Sequence, residues 1–292
     1  MSRFPKVGVI GAGQLAQMSL APAAALGIEL IPLANSTEDS AAKLTPHIVG
    51  DYKNLETVRE FAKRCDLVTF EHELIPISIV KTLEVEGLKF LPSSGSFQFS
   101  QDKALMRQKL DHLPTPKWQV VTEAIDWSYP AIAKSISGGY DGRGVWKVNS
   151  KEALSDLLKE HTKLLLEELI DFDFEIAVMV ARSPHGQAAT WAPTRTVQRD
   201  GICIETVTPV PEFSADQSER AQNLALQIAE EIKLVGVMAV EMFVKGEELF
   251  INELALRPHN SGHWTIEGSI TSQFEQHLRA VLDLPLGDTA MT

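Results

Sequence analysis

The sequence predicts a mixed α/β and α+β protein that begins with a parallel α/β, Rossmann-like domain. Between Lys6 and Phe70, short apolar runs alternate with helical patterns, which is the order of elements in a parallel sheet. Residues 135–144 then form a glycine-rich segment between two short apolar runs. Farther along, two apolar runs flank the turn-like segment Lys245–Glu248, and each run carries a glutamate. The later chain is therefore expected to form strand pairs.

Composition is that of an ordinary globular protein. Of 292 residues, 44% are hydrophobic and 23% are charged, a balance without fibrous or disordered bias, and the length predicts two or three subdomains. A net charge of −12 argues against a nucleic-acid-binding surface, because phosphate backbones require clustered Lys and Arg. The N-terminus lacks a signal-peptide pattern and no apolar run has membrane-spanning length, so we expect no membrane partner and a cytoplasmic location.

The elements of the parallel domain can be read in order. Strands are expected at Lys6–Ile10, Ile28–Ala34 and Asp66–Phe70. One helix is expected to follow the segment Gly11–Ala16 and to end at about Leu26, and a second is expected over Leu55–Arg64. The first turn matches the dinucleotide fingerprint Gly-x-Gly-x-x-Ala, but the second strand ends without the acid that holds a ribose. We therefore expect no NAD, although the turn could still place a helix N-terminus against a different phosphate.

The chain after residue 100 predicts two further parts. One helix is expected over Phe97–Leu110, and Leu113–Pro116 is a stiff connector. We predict an N-terminal domain at residues 1–100, a central subdomain with the glycine-rich loop at 101–168, and a C-terminal subdomain with metal-binding carboxylates at 169–292. Within the last, Ser214–Leu234 has the apolar spacing of a buried helical stripe.

The glycine-rich segment is expected to connect the strands Pro130–Lys134 and Val145–Val148. It lacks the Gly-Lys-Ser/Thr that opens a helix in a Walker A loop, and it is typical of a flap that folds over phosphates. Lys134 would contribute a point charge, and four glycines would allow close backbone approach. These are Gly138, Gly139, Gly142 and Gly144. A plain flexible hairpin tip is the alternative.

The runs Val237–Val244 and Leu249–Glu253 predict a hairpin that carries a metal site. If the hairpin is centred near residue 247, Glu241 and Glu253 lie opposite each other, about 5 Å apart at Cβ. Facing carboxylates repel each other, so we expect between them Mg²⁺, or Mn²⁺, which would also take phosphate oxygens. The run Arg257–Trp264 adds anion-binding groups, and the combination predicts phosphoryl chemistry. The alternative is a solvated strand face followed by an ordinary loop.

Three longer motifs resemble the ATP-grasp superfamily and, more narrowly, the 5-(carboxyamino)imidazole ribonucleotide synthase family. They are Ser137-Gly-Gly-Tyr-Asp-Gly-Arg-Gly144, Asn252-Glu-Leu-Ala-Leu-Arg-Pro-His-Asn-Ser-Gly-His-Trp-Thr265 and Thr271-Ser-Gln-Phe-Glu-Gln-His-Leu278. The resemblance spans Val7 to about Asp288. It implies an ATP-grasp fold, a homodimer, and carboxylation of 5-aminoimidazole ribonucleotide by ATP and bicarbonate, with release of ADP and phosphate.

The resemblance also implies roles for individual residues. Catalytic groups would be Tyr140, Asp141, Arg143, Arg257, His259 and Asn260. Nucleotide-binding groups would be Lys103, Lys134, the loop residues Gly138, Gly139, Tyr140, Asp141, Gly142, Arg143 and Gly144, and then Glu167, Glu168, Leu169, Ile170, Glu175, Gln198, Asn252 and Glu253. Ribonucleotide-binding groups would be Gly13, Gln14, Leu15, Glu71 and Ser261, and the metal ligands would be Glu241 and Glu253.

Some features depart from the family pattern. Gln198 stands where His is usual, and Leu256 and Pro258 stand where Pro and Val are usual. Family members continue for several dozen residues past the position of Thr292, so we expect this chain to bind ATP with reduced ribonucleotide affinity. Two alternatives stay open: another ATP-grasp carboxylate–amine ligase, and a nucleotide-binding protein without catalysis. Facing glutamates, which cost stability in an idle site, argue against the second.

Overall fold

The described strands of the protein form three sheets. The structure, a computed structural model, describes residues 3–138, 143–199 and 202–292. The first sheet is parallel, with the strand order β3-β2-β1-β4, and confirms the alternation predicted from the sequence. Its elements are β1 (Lys6–Ile10), α1 (Gln14–Ala25), β2 (Glu29–Ala34), β3 (Ile48–Val49), α2 (Leu55–Ala62), β4 (Leu67–Phe70) and α3 (Ile77–Val85).

The prediction of a single helix over Phe97–Leu110 is wrong, because two helices occupy this region. They are α4 (Ser94–Gln101) and α5 (Lys103–Leu110). Asp102 separates them in an extended conformation, and its carboxylate accepts a hydrogen bond of 2.9 Å from the backbone N–H of Leu105. A short acidic side chain competes in this way with helix continuation and favours a new helix start. The break lets α5 begin at Lys103, in the cleft described below.

The second sheet is antiparallel, with the order β5-β8-β6-β7. It contains β5 (Trp118–Val121), β6 (Ala131–Ser135), β7 (Val145–Val148) and β8 (Leu164–Glu168), with α6 (Lys151–Glu160) after β7. Residues of β6 and β8 form its core with Leu154 of α6. The predicted strand pair on either side of the glycine-rich loop is therefore confirmed.

The third sheet has the order β12-β11-β9-β13-β14, with β10 on β9. Its strands are β9 (Phe174–Arg182), β10 (Ala188–Thr190), β11 (Thr194–Arg199), β12 (Ile202–Val207), β13 (Gly236–Lys245) and β14 (Glu248–Ala255). The helices of this part are α7 (Ala215–Glu231), α8 (Thr265–Gly268) and α9 (Gln273–Val281). The predicted stripe of α7 is buried at Ala221, Ala225, Ile228 and Ala229, and Ser214 with Gln217 forms its capping box.

Helix α9 connects the first and third sheets. It contacts α1 on one side and β9 and β13 on the other. Its buried His277 accepts a hydrogen bond at Nδ1 from the backbone N–H of Val237, and its Nε2 lies 2.7 Å from Thr69 Oγ1 in β4.

The division at residues 1–100, 101–168 and 169–292 stays a prediction. Within the described ranges, no helix has both the length and the apolar character that a bilayer crossing requires.

Candidate active site

The β13–β14 hairpin places Glu241 opposite Glu253, which confirms the predicted pairing. A β-bulge produces this register. Lys245 pairs with Glu248, a register that would place Glu241 opposite Asn252. The register shifts next to Glu241, so Asn252 becomes the extra residue of β14 and Glu253 moves into line. Bulges of this kind redirect a side chain and are frequent beside active sites.

The bulged Asn252 turns its side chain toward Lys134 of β6. The Lys134 ammonium donates to Asn252 Oδ1 at 3.0 Å and pairs with Glu167 Oε2 at 2.7 Å. Burial alone would raise the pKa of the Glu167 carboxyl, but the positive charges of Lys134 and Arg107 outweigh this effect and lower that pKa. Glu167 is therefore a buried anion that holds Lys134 at the cleft.

Helix α5 contacts β14 at two successive turns. Lys103 lies 2.5 Å from Glu253 Oε1, and Arg107 donates to the carbonyl oxygens of Ile251 and Asn252 at 2.9 Å each. Residues four apart share one face of a helix, so one face of α5 makes both contacts. Arg107 was not predicted from the sequence, although it follows Lys103 by four residues, a spacing that places both side chains on one face of a helix.

His259 lies beside Glu241, with Nε2 3.3 Å from Glu241 Oε1. Burial and the positive charge of Arg257 lower the pKa of His259 to about 3, so its ring is neutral. Its Nδ1 accepts from the backbone N–H of Ser261 and lies 2.8 Å from the Ser261 hydroxyl, which assigns the proton to Nε2. Ser261 is fully buried. Its hydroxyl contacts His259 and is not among the groups that line the cleft, and its role in ribonucleotide binding stays a prediction.

Arg257 crosses from the end of β14 to the loop after β4. Its Nε donates to Glu73 Oε2 at 2.9 Å, and each side chain of the pair is about one-fifth exposed. The other oxygen of Glu73 is buried without a hydrogen-bond partner. Glu71 was predicted as a site residue and Glu73 was not, although the two acids follow the same strand.

The N-terminus of α1 is occupied by Glu71. The Glu71 carboxylate accepts from the backbone N–H groups of Gly13, Leu15 and Ala16 at 2.6, 3.0 and 3.4 Å. A Cβ atom added at Gly13 would lie 2.6 Å from Glu71 Oε1. The fingerprint glycines therefore admit an internal carboxylate, in the position where the sequence suggested an external phosphate.

An apolar wall follows β8. Phe172 and Phe243 stack with ring centroids 4.6 Å apart, beside Leu169 and Ile170 on the same cleft. Burial raises the pKa of the nearby Glu175 carboxyl. The aromatic pair adds a flat surface to the cleft, and its two rings could not be paired from the sequence because Phe172 and Phe243 are 71 positions apart.

One cleft gathers most of the predicted residues. Its walls include Gly13, Leu15, Glu71, Lys103, Lys134, Gly138, Arg143, Glu167, Glu168, Leu169, Ile170, Glu175, Gln198, Glu241, Asn252, Glu253, Arg257, His259 and Asn260. Gln14 is exposed outside these walls, and the carbonyl of Gly144 accepts from the backbone N–H of Ser135. Gly139, Tyr140, Asp141 and Gly142 lie outside the described residues.

The facing carboxylates fit a hard cation that takes further ligands from a substrate. Burial and the negative charge of Glu253 raise the pKa of Glu241 to about 8, which shows the cost of placing a second negative charge there. Across the described ranges, no group of three or more His, Cys, Asp or Glu side chains could hold a metal ion. Two carboxylates with phosphate oxygens and water would suit Mg²⁺.

Known proteins share this sequence and fold. A family model described as ATP-grasp domain matches residues 106–274, and one described as ribonucleotide synthetase preATP-grasp domain matches residues 4–101. N5-carboxyaminoimidazole ribonucleotide synthase of Mycobacterium tuberculosis is 42% identical in an alignment 300 positions long, gaps included, which covers 98% of this chain and 70% of that protein.

Solved structures agree. The N5-carboxyaminoimidazole ribonucleotide synthetase of Thermus thermophilus has a TM-score of 0.90 and 35% identity over 98% of this chain and 80% of its own. The synthase of Aspergillus clavatus, solved with ADP and 5-aminoimidazole ribonucleotide, has a TM-score of 0.89 and 32% identity over 98% and 79%. With the cleft described above, these matches confirm the ATP-grasp fold, and the chain belongs to the N5-carboxyaminoimidazole ribonucleotide synthase family.

Proposed function

We propose that this protein carboxylates the exocyclic amine of 5-aminoimidazole ribonucleotide with ATP and bicarbonate, releasing ADP and phosphate. The reaction belongs to purine biosynthesis. The observation that carries the proposal is the register of the hairpin, because it opposes Glu241 and Glu253 in a cleft that also holds Lys103 and Lys134. Membership of the family supports the same reaction.

The nucleotide would lie along β6, β8 and β14. Lys134 and Lys103 would contact its phosphates, with the glycine loop from Gly138 covering them. The purine would pack against the Phe172–Phe243 stack, and Glu175 would accept from the ribose hydroxyls. Leu169, Ile170 and Gln198 would complete this part of the cleft.

Glu241 and Glu253 would hold Mg²⁺, which when bound supplies charge compensation to the phosphates. The protein contributes position and charge. The γ-phosphoryl group would pass from the β–γ bridging oxygen of ATP, which leaves with ADP, to a bicarbonate oxygen, and the product is carboxyphosphate. The amine nitrogen would then bond to the carbonyl carbon of carboxyphosphate as the bond from that carbon to the phosphate oxygen breaks, or to CO₂ released from carboxyphosphate together with phosphate. In either case the amine loses a proton.

Arg257, His259 and Asn260 would surround bicarbonate. Neutral His259 would present its Nε2–H as a hydrogen-bond donor, and Arg257 would supply a fixed positive charge. We retain Tyr140, Asp141 and Arg143 as candidates on the flap side, with Asp141 as acceptor of the amine proton. These assignments rest on the family pattern.

The ribonucleotide would lie between the loop after β4 and the turn before α1. Because Glu71 is engaged with the backbone N–H groups of Gly13 and Leu15, Glu73 offers the charged group on this side of the cleft, and Arg257 reaches it from the end of β14. Ser261 would act through His259. A cytoplasmic location and a homodimer are further proposals carried over from the family resemblance.

The decisive experiment measures ADP release with ATP, Mg²⁺ and bicarbonate, in the presence and absence of 5-aminoimidazole ribonucleotide. We expect a large ribonucleotide-dependent increase, with one ADP formed per carboxylated product. Replacing the ribonucleotide by other amines is the matched control. Slow ADP release that is indifferent to the ribonucleotide would contradict the substrate assignment while leaving the nucleotide site in place.

A further inference from the structure

Arg107 is a fully buried arginine at the junction of the parts that carry the nucleotide site. Its three hydrogen bonds reach two different elements. Nε donates to Glu167 Oε1 of β8 at 2.6 Å, while the two terminal nitrogens donate to backbone carbonyls of β14. A planar guanidinium can serve two such acceptors at once, which a lysine ammonium cannot do in the same fixed geometry.

The contacts on β14 are made where the ladder is interrupted. Asn252 is the extra residue of the bulge, and such a residue is left unpaired by the neighbouring strand. Arg107 donates to the carbonyl of Asn252 and to that of Ile251 before it. A buried carbonyl without a partner is costly, so Arg107 stabilises the backbone shape that directs the Asn252 side chain toward Lys134.

The contact on β8 acts on the same lysine. Glu167 has two carboxylate oxygens, of which Oε1 accepts from Arg107 and Oε2 pairs with Lys134. Both acceptors that hold the Lys134 ammonium, Glu167 and Asn252, are therefore positioned by Arg107. The three ionic groups also sum to one positive charge, because two cations share a single carboxylate.

We infer that Arg107 is a positioning residue for the nucleotide phosphates: it holds Glu167 and the bulged Asn252 in the places that aim Lys134 into the cleft, and leaves that cluster with a positive charge. This inference rests on the proposed function only in that ATP is the ligand. It assigns Arg107 no contact with the nucleotide. Its effect on affinity passes through Lys134.

The test is equilibrium binding of ATP with Mg²⁺, measured by calorimetry on the full chain without turnover. Arg107→Met should weaken ATP binding by at least about tenfold, the factor that ~1.4 kcal/mol produces. Arg107→Lys, which keeps the charge but not the fork, should recover only part of this loss. The control is Met106→Ala, a buried neighbour on the same helix, which should lower the unfolding temperature and leave ATP affinity unchanged.

A double-mutant cycle identifies the route of the effect. If Arg107 acts through Lys134, Arg107→Met should weaken ATP binding little further in a Lys134→Met background. If the double variant lost ATP affinity by the product of the two single-variant factors, the inference would be overturned. Wild-type ATP affinity in both Arg107 variants would also overturn it. If Arg107→Met does not fold, Arg107→Lys in the same cycle decides. Wild-type protein that binds ATP without forming carboxylated product would count against the proposed function alone.

Discussion

The two walls of the cleft hold their carboxylates in different ways. We call Lys103, Lys134, Glu167, Asn252 and Glu253, with Arg107 buried behind them, the nucleotide wall, and we call Gly11, Gly13, Leu15, Glu71 and Glu73 the ribonucleotide wall. On the nucleotide wall, each carboxylate pairs with a side-chain cation. On the ribonucleotide wall, Glu71 is held by backbone N–H groups, and the cation for Glu73 comes from Arg257 across the cleft.

The two arrangements differ in where a phosphate can bind. Three cations and two carboxylates leave the nucleotide wall with one positive charge. The ribonucleotide wall has a glycine turn at a helix N-terminus, which usually favours anions. Glu71 already fills that position and accepts from the backbone N–H groups of Gly13, Leu15 and Ala16, so these donors are not available to a second anion. A glycine fingerprint therefore predicts an anion at the turn, but that anion can belong to the protein itself.

The largest expected effect comes from Glu253 on the nucleotide wall. Glu253→Gln should lower turnover by about 10²- to 10³-fold, because Mg²⁺ would lose a carboxylate ligand and the phosphates would lose the charge compensation that the ion supplies. Circular dichroism should show a folded protein. Glu248→Gln, at an exposed position on the same strand, is the matched control and should retain activity. Full activity of Glu253→Gln at saturating Mg²⁺ would contradict the assignment of this wall.

Glu71 provides the corresponding break on the ribonucleotide wall. Glu71→Gln should lower the free energy of unfolding by about 1.5–3 kcal/mol, because an amide replaces a charged acceptor of several N–H groups. Urea unfolding measures the change. Glu38→Gln, whose carboxylate is 79% exposed and pairs with Lys43, should have little effect. If the two variants were equally stable, Glu71 would not be the internal anion of α1.

How much of this could be predicted from the sequence depends on the range of the contacts. The parallel sheet, the hairpin and α7 follow from local apolar periods and turn residues, and all are confirmed. The break at Asp102 was missed because a helix-compatible apolar pattern runs through it, and one side-chain hydrogen bond decides the outcome. The Glu241–Glu253 pairing was predicted without the bulge that creates it, since a bulge has no mark in the apolar alternation.

The electrostatic design of the walls depends on distant parts of the chain. Arg107 and Glu167 are 60 positions apart, Lys134 and Asn252 118, and Glu73 and Arg257 184. Spacing within one element cannot predict such pairs. The family resemblance named the residues of the cleft but not which of them are turned inward, as Glu167 and Ser261 are. Their roles in binding stay predictions.

His277 links the two walls through the sheets behind them. It contacts β4 in the parallel sheet of the ribonucleotide wall and β13, the strand beside β14 of the nucleotide wall. Burial lowers its pKa to about 4, and protonation at Nδ1 would remove its bond from the Val237 N–H. In the unfolded chain an ordinary histidine takes up its proton near a pH of about 6.5. The unfolded state therefore binds more protons between these values, and stability should fall as pH drops from about 6.5 toward 4.

The size of this effect can be bounded. At pH 5 the histidine should account for a loss of about 2 kcal/mol relative to neutral pH. His277→Gln, which keeps one amide donor and one acceptor, should show a flatter dependence of unfolding free energy over this range. His185→Gln, at an exposed surface histidine, is the control. Parallel pH curves for wild type and His277→Gln would show that other groups govern acid stability.

The smallest expected effect tests whether the walls act on separate substrates. Glu73→Gln should leave Arg257 without its charged partner and let the guanidinium move, because a charge-assisted hydrogen bond fixes it now. We expect the KM for the ribonucleotide to rise about tenfold, equivalent to ~1.4 kcal/mol, and the KM for ATP to stay close to wild type. Glu86→Gln, which breaks the Arg59 pair away from the cleft, should change neither. Equal increases in both KM values would mean that Arg257 serves the nucleotide as well, and that the two walls do not divide the substrates between them.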